Sequence, residues 1–359
     1  MKYGRSIKDL AAEIDRQQEA KVDFKLDTRH LHMSVGANDS QRNTGETIWM
    51  GIGDKMDVQI KQVAHRQIGT HTEIPAKYYD RMKDKAPGLL ATNVNRWFQN
   101  ESSRRMVRVL DNRMRAFLSD RYKRIDNYDV SQAIFPILKE IDGLEIKSCE
   151  ITDRNLFIKA TSPRSCGEVT VGDVVEAGVM VRNSEIGFGR FLITPFIHRL
   201  VCDNGMVLND SRFGRNHVGA IDANADNNII HMLSDETLAA EDKAIMLKSR
   251  DVVRACLDQV FVDQTVARLR QAAGQKIHGD PVIAIEIMSK KMNLTQEEQG
   301  GVLRHLIEGG DLSAWGMANA VTRLATDAES YDRATDLEII GGKVVDLGPH
   351  EWNQIAEAA

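Results

Sequence analysis

The chain of 359 residues has no apolar run long enough to cross a bilayer, and its first stretch, MKYGRSIKDLAAEIDRQQ, is too polar for a secretory signal. A cytoplasmic protein without membrane contact is the expectation. Cysteine is scarce: Cys149, Cys166, Cys202 and Cys256 lie far apart with no CxxC pair, which suggests neither a zinc knot nor a disulfide framework and leaves reduced, structural thiols. Gly51-Ile52-Gly53 and Gly187-Phe188-Gly189 lack the third glycine and the Gly-Lys-Ser/Thr ending of phosphate loops, so they read as tight turns. There is no GxSxG elbow and no HExxH helix. His71-Thr72-Glu73 has no PCxxC half to complete a deaminase zinc site, and His30-Leu31-His32 has no acids or thiols nearby. Asp222–Asn228 imitates half a calcium loop, but Asn227 stands where glycine is needed and Leu233 where glutamate is needed. No cofactor, metal or catalytic residue is therefore assigned.

Basic charge, by contrast, is concentrated. The segment Arg104–Arg124 carries Arg104, Arg105, Arg108, Arg113, Arg115, Arg121, Lys123 and Arg124 against only Asp111 and Asp120, a local charge of +6 in a chain of −5. Val107 and Val109 share one parity, Arg104 and Arg108 the other. Beyond Asp111-Asn112, Met114, Ala116 and Leu118 alternate with Arg113, Arg115 and Phe117. Two alternating runs around a turn predict a β-hairpin with one face buried and the other carrying guanidinium groups. Such groups fit phosphate oxygens bidentately and stack on bases. A solvated face paired to acids elsewhere remains open, since 52 Asp and Glu are available.

Around the hairpin the pattern predicts an α+β fold with an antiparallel sheet, ordered as hairpin, helix, three to four strands and long helix. Helical regions flank it on both sides. A helix over about Ile7–Ala20 opens the chain, the Gly36–Glu46 stretch reads as a loop, and Val58–Gln99 is helical, with Pro75 and Pro87 in first turns. A helix over Val130–Ile141 precedes four strand-like runs, Leu144–Ile151, Leu156–Ala160, Val169–Val181 and Phe191–Val201, joined by short turns that favour a meander. One long helix is expected over Asp235–Ala273 with a Ser234 cap, then helices over Pro281–Lys291, Thr295–Glu308 and Leu312–Ala325, with a Thr295/Glu298 capping box. The division expected is a mainly helical region 1–100, an α+β core 101–275 that binds nucleic acid, and a helical module 276–359. Helices should pack on one face of the sheet.

A second basic cluster falls on the strands. Arg182 ends one run, Arg190 opens the next and Arg199 lies within it, so neighbouring strands can place them on one surface as the second wall of a groove. Phe188, Phe191 and Phe196 are interleaved as candidate stacking platforms. The competing reading is a turn with exposed arginines.

The segments IPAKYYDRM, NVNRWF, RAFLSDRYKRIDNYDV, VRNSEIGFGRF, RLVCDNGMV and LSAWGMANAVTRLA, taken in order, resemble the YfjQ/YafZ-like phage/plasmid-like proteins of unknown function. That resemblance spans nearly the whole chain and implies a setting in the cytoplasm of a bacterial host. The predicted core order is also similar to the RecT, Redβ, Erf and Rad group of single-strand annealing proteins, from which the long N-terminal region and the extra strand depart. This second resemblance implies ATP-independent binding and annealing of single-stranded DNA by a homo-oligomeric ring or filament, with a host or phage replication or recombination protein as a further partner. Two alternatives stay open: a non-enzymatic interaction or regulatory protein that binds an acidic protein surface, and a metal-dependent enzyme acting on nucleic acid through Asp111, Asp120 and Asp126.

Overall fold

The computed structural model of the chain describes residues 1–37, 46–122, 124–208, 213–215 and 235–358. Lys123, Asp222–Asn228, Ser234 and residues 38–45 of the Gly36–Glu46 stretch lie outside the described residues. The fold is α+β, with two antiparallel-rich sheets and a helical C-terminal region. No helix among the described residues is long and apolar enough to cross a membrane.

The chain opens with α1 (Ile7–Ala20), capped by Ser6 Oγ, which accepts from the Asp9 N–H, and burying Leu10 and Ile14. Four strands follow: β1 (Val22–Asp27), β2 (Leu31–Ala37), β3 (Glu46–Ile52) and β4 (Met56–Ile60). Then come α2 (Gln62–His71), α3 (Ala76–Lys85) and α4 (Pro87–Asn100), with Pro75 at the N-cap of α3 and Pro87 as the first residue of α4. The hairpin is β5 (Arg104–Leu110) and β6 (Arg113–Ser119), turned at Asp111 and Asn112, whose φ values of 50° and 57° suit a tight two-residue hairpin.

These six strands form one sheet in the order β1-β5-β6-β4-β3-β2. The expected helical N-terminal region is thus corrected: it holds four strands beside its helices, and the hairpin joins them rather than the later meander. The short polar-interrupted runs VDFKLD and LHMSVGA alternate weakly, and β1 finds its partner β5 far along the chain, so neither strand announces itself locally. Helices α2–α4 cover one face through Ile68, Val94 and Phe98, packed on Val107, Val109, Met114 and Phe117.

The expected alternation within β6 is also corrected. Arg108 pairs with Ala116 and Val109 with Met114, so Arg115 is an extra residue at a β-bulge. Met114 and Phe117 consequently share the helix-covered face, while Ala116 and Leu118 turn to the other with Met106, Tyr122 and Ile186.

After α5 (Asn127–Glu140), the strands β7 (Glu145–Ile151), β8 (Leu156–Glu168), β9 (Val174–Asn183), β10 (Phe191–Arg199) and β11 (Asn204–Val207) form the predicted antiparallel meander, with β12 (Phe213–Arg215) also pairing with β10. The long helix expected next is two, α6 (Asp235–Cys256) and α7 (Gln259–Gly274), because Asp258 caps α7 by accepting from the Val260 N–H. The chain continues through α8 (Pro281–Met292), α9 (Gln296–Gly309), α10 (Ala314–Leu324), α11 (Tyr331–Val345) and α12 (Pro349–Ala356). The Thr295/Glu298 capping box forms at the start of α9.

Both faces of this second sheet are covered, which corrects the expectation of a single helical layer. Leu10, Ile14, Ile134 and Val253 from α1, α5 and α6 pack on Ile158, Ala160, Val179 and Val181. The opposite face meets α11 through a charged contact. Lys159 Nζ lies 2.5 Å from Glu338, 3.1 Å from Thr335 Oγ1 and 4.6 Å from the centre of the Tyr331 ring. Both charged residues are 0% exposed. Burial pushes the lysine pKa down and the glutamate pKa up, and each opposes the other's shift by attraction.

Removing one member of such a pair strands the other charge in the interior. Lys159→Ala should lower the free energy of unfolding by about 3–5 kcal/mol, and Lys159→Met combined with Glu338→Leu should recover most of it. Urea titrations of the three proteins make the comparison.

Candidate nucleic-acid interface

The arginine hairpin does not present one solvated basic face. Asp23 of β1 stands directly opposite Arg108 of β5, and this register makes the central contact of the molecule. Arg108 Nε and Nη2 donate to the two Asp23 oxygens at 2.9 and 3.0 Å, Nη2 also to Asp126 at 2.7 Å, and Nη1 to the Glu185 carbonyl at 2.8 Å. Lys21 reaches Asp126 at 2.5 Å, and Arg124 reaches Asp23 at 3.3 Å. Arg115, carried inward at the bulge, pairs with Glu185 at 2.6 Å, while the other Glu185 oxygen accepts from the Asn127 N–H in the first turn of α5. Arg108 is 0% and Arg115 7% exposed. Burial disfavours the charge on Arg108, but Asp126, Asp23 and Glu185 more than offset it and hold its pKa above the ordinary arginine value. Burial likewise raises the Asp126 carboxyl pKa, and Arg108 and Lys21 outweigh that and leave it below the usual range. Arg108 and Arg115 are thus removed from any phosphate-binding surface, and they tie the two sheets together.

The other hairpin candidates are dispersed. Arg105 is half-buried, donates to His71 Nδ1 at 2.7 Å and lies 5.6 Å from the centre of the Phe117 ring. Arg104, Arg113, Arg121 and Arg124 are exposed. Arg104 and Arg113 sit at opposite ends of the ribbon, about 20 Å apart at 3.4 Å per residue. The acids considered for a divalent ion are separated too: Asp111 pairs with Arg16 at 2.8 Å, and Asp126 is spent on Arg108 and Lys21.

The second cluster divides in the same way. Arg199 is clamped to Asp173 by bonds of 2.6 and 3.0 Å and faces the Trp315 ring, whose Nε1 donates to the same carboxylate. It stands at the far end of β10 from Arg190, about 30 Å along the strand. Phe191 and Phe196 are core residues at 0% exposure, which removes them as stacking platforms.

What the fold does assemble is a ridge at the seam of the two sheets, where the β7–β8 turn meets the β9–β10 loop. Phe188, 42% exposed, lies under the Arg154 guanidinium at 4.6 Å from its ring centre. Arg182 Nε donates to Asn155 Oδ1 at 3.1 Å and covers the Phe157 ring, and exposed Arg190 follows Gly189, which abuts Arg182 and Asn155. The loop is fixed from below. Ser184 Oγ donates to the Arg154 carbonyl, Tyr122 donates to the Ser184 carbonyl, and Gln67 of α2 donates to the Ile186 carbonyl. Gly187, at φ 73°, lies so close to Leu118 that a Cβ would fall 2.6 Å from its methyl. Lys61 closes the seam on Asp153 at 2.6 Å. Arg154 is the ridge residue that the sequence reading passes over; a basic residue inside the Asp153-Arg154-Asn155 turn, together with a phenylalanine between two glycines, is the signal that points to it.

Fold and site together define an α+β protein whose two sheets are joined by a buried ionic hub and carry an arginine–phenylalanine ridge at their seam. The family described as Domain of unknown function (DUF932) matches residues 116–331, more than half of the chain, and the chain belongs to that family. No curated protein and no solved structure matches it.

Two imidazoles beside the hairpin make its packing pH-sensitive. His65 Nδ1 lies 2.9 Å from the Tyr79 hydroxyl and His71 Nδ1 accepts from Arg105, and burial lowers both pKa values from 6.5 to about 4. With folded values below unfolded ones, their contribution is complete above pH 6.5 and is lost as pH falls through about 4. The urea midpoint should therefore be lower at pH 5 than at pH 7, and an unchanged midpoint would contradict neutral buried imidazoles.

Proposed function

We propose that the protein binds single-stranded DNA along the seam ridge and acts, without ATP, as an annealing protein of a phage or plasmid. The observation that carries this reading is the half-exposed Phe188 ring stacked under Arg154 beside exposed Arg190. An aromatic platform flanked by guanidinium groups serves unpaired bases and their phosphates, because every base has a face to stack and every linkage a charge to neutralise. Arg104 and Arg113, at the two ends of the hairpin, are exposed as well. The resemblance to phage/plasmid-like and annealing proteins supports the same reading and adds self-association. A second reading, docking to a protein, is favoured by the mixed charge around the ridge. Asp332 binds Asn155, Asp336 lies in the field of Arg182, and Asp153 holds Lys61.

Phe188→Ala should weaken binding of a single-stranded oligonucleotide by about 1–3 kcal/mol per stacked base, read by fluorescence anisotropy. Arg190→Gln and Arg104→Gln should each lower the slope of log affinity against log salt by about 0.7. Equal affinities and slopes in all three variants would favour the protein-docking reading.

Annealing also requires that several chains share one strand. Light scattering with single-stranded DNA present should give a multiple of 40.2 kDa per particle, and a monomer mass at micromolar concentration would count against annealing.

A further inference from the structure

A concavity among the described residues lies away from the ridge, in the helical C-terminal region. It is a cleft of about 570 Å³ between α7, the end of α8 and the α11–α12 connection. That volume falls in the range of small-molecule sites.

One wall is the end of α7, where Arg268, Gln271 and Ala272 recur at helical spacing and Gln275 follows as the C-cap. Lys343 and Asp346 stand on the other wall. Asp346 is taken by an ion pair with Arg268, and Glu351 at the rim is taken by Lys291 at 2.5 Å. Both lining acids are thereby compensated. Lys343, which also lines the cleft, is exposed and has no side-chain ion pair or hydrogen bond among the described residues, and Asp336, about two turns back along α11, is the acid that feels its charge. Gln271 near the end of α7 and Gln275 at its C-cap add two carboxamides, neither with a side-chain hydrogen bond among the described residues. Between these polar groups runs an apolar strip of Ala272, Met292, Val345 and Leu347.

We infer that this cleft binds a small organic anion with a planar hydrogen-bonding edge, of the nucleoside monophosphate class. Its three features match the ligand's three parts. The Lys343 ammonium faces the phosphate, the carboxamides, each both donor and acceptor, face the base edge, and the apolar strip underlies the ring. A bare inorganic anion would leave the strip and the carboxamides unused, and an uncharged nucleoside would leave Lys343 unused. The site is independent of the ridge and of the DNA-binding reading.

The test is calorimetric titration of the full chain with adenosine monophosphate, adenosine and inorganic phosphate as separate probes. The monophosphate should bind at least about tenfold more tightly than either fragment. Lys343→Gln should weaken it about tenfold or more, the effect of losing one charge-assisted bond. Gln271→Ala with Gln275→Ala should bring the monophosphate close to the affinity of phosphate alone. These side chains are on the surface of the cleft, and unchanged thermal melting would verify folding. Phe188→Ala should leave the binding intact. Loss of monophosphate binding in Phe188→Ala but not in Lys343→Gln would place the nucleotide on the ridge and overturn the inference. No heat from any probe at millimolar concentration, or equal binding of all three, would overturn it too.

Discussion

A single guanidinium holds the two halves of this fold in register. Arg108 is enclosed on the inner face of the hairpin and contacts β1 through Asp23, the start of α5 through Asp126 and the β9–β10 loop through the Glu185 carbonyl. A bare cation in that position would be strongly disfavoured, and three carboxylates within reach make it tolerable. The consequence is geometric. Because the same loop carries Glu185, Ile186 and Phe188, the contact that joins the sheets also sets where the exposed ring stands.

Arginine therefore has two roles separated by a few ångströms. Arg108 and Arg115 face carboxylates in the interior, where their planar forks are used for structure. Half-buried Arg154 and exposed Arg190 stand at the seam, where the same chemistry is available to a ligand. The bulge at Arg115 is what sends one hairpin arginine inward to Glu185 and restores the apolar face beneath Phe117. Local charge density alone does not distinguish these roles.

The second sheet lies between helical layers of different character. On the side of α1, α5 and α6 the contact is apolar, and on the side of α11 it is centred on Lys159 and Glu338. An apolar contact tolerates sliding of helix on sheet, whereas a buried ion pair has one productive alignment. The helices beyond, which complete the core around Trp315, Leu337 and Trp352, also form the cleft bearing Lys343. Ridge and cleft are thus separate surfaces, one built by turns between strands and the other by helix faces.

Much of the fold was legible in the residues. The α1 stripe, the proline positions, the hairpin turn at Asp111-Asn112, the four-strand meander and the Thr295 capping box all arise from contacts among near neighbours, and local pattern reports such contacts well. The N-terminal strands were not, because β1 is completed by a partner nearly ninety residues away by the pairing of Val22 with Val109. Of the site, the sequence by itself determined where arginine is concentrated and that Phe188 sits in a glycine-flanked turn. Only the tertiary structure decided which arginines face carboxylates and which face water. Burial depends on the register between β1 and β5, on one extra residue at Arg115 and on the meeting of two sheets, and none of these is a property of any short stretch of chain.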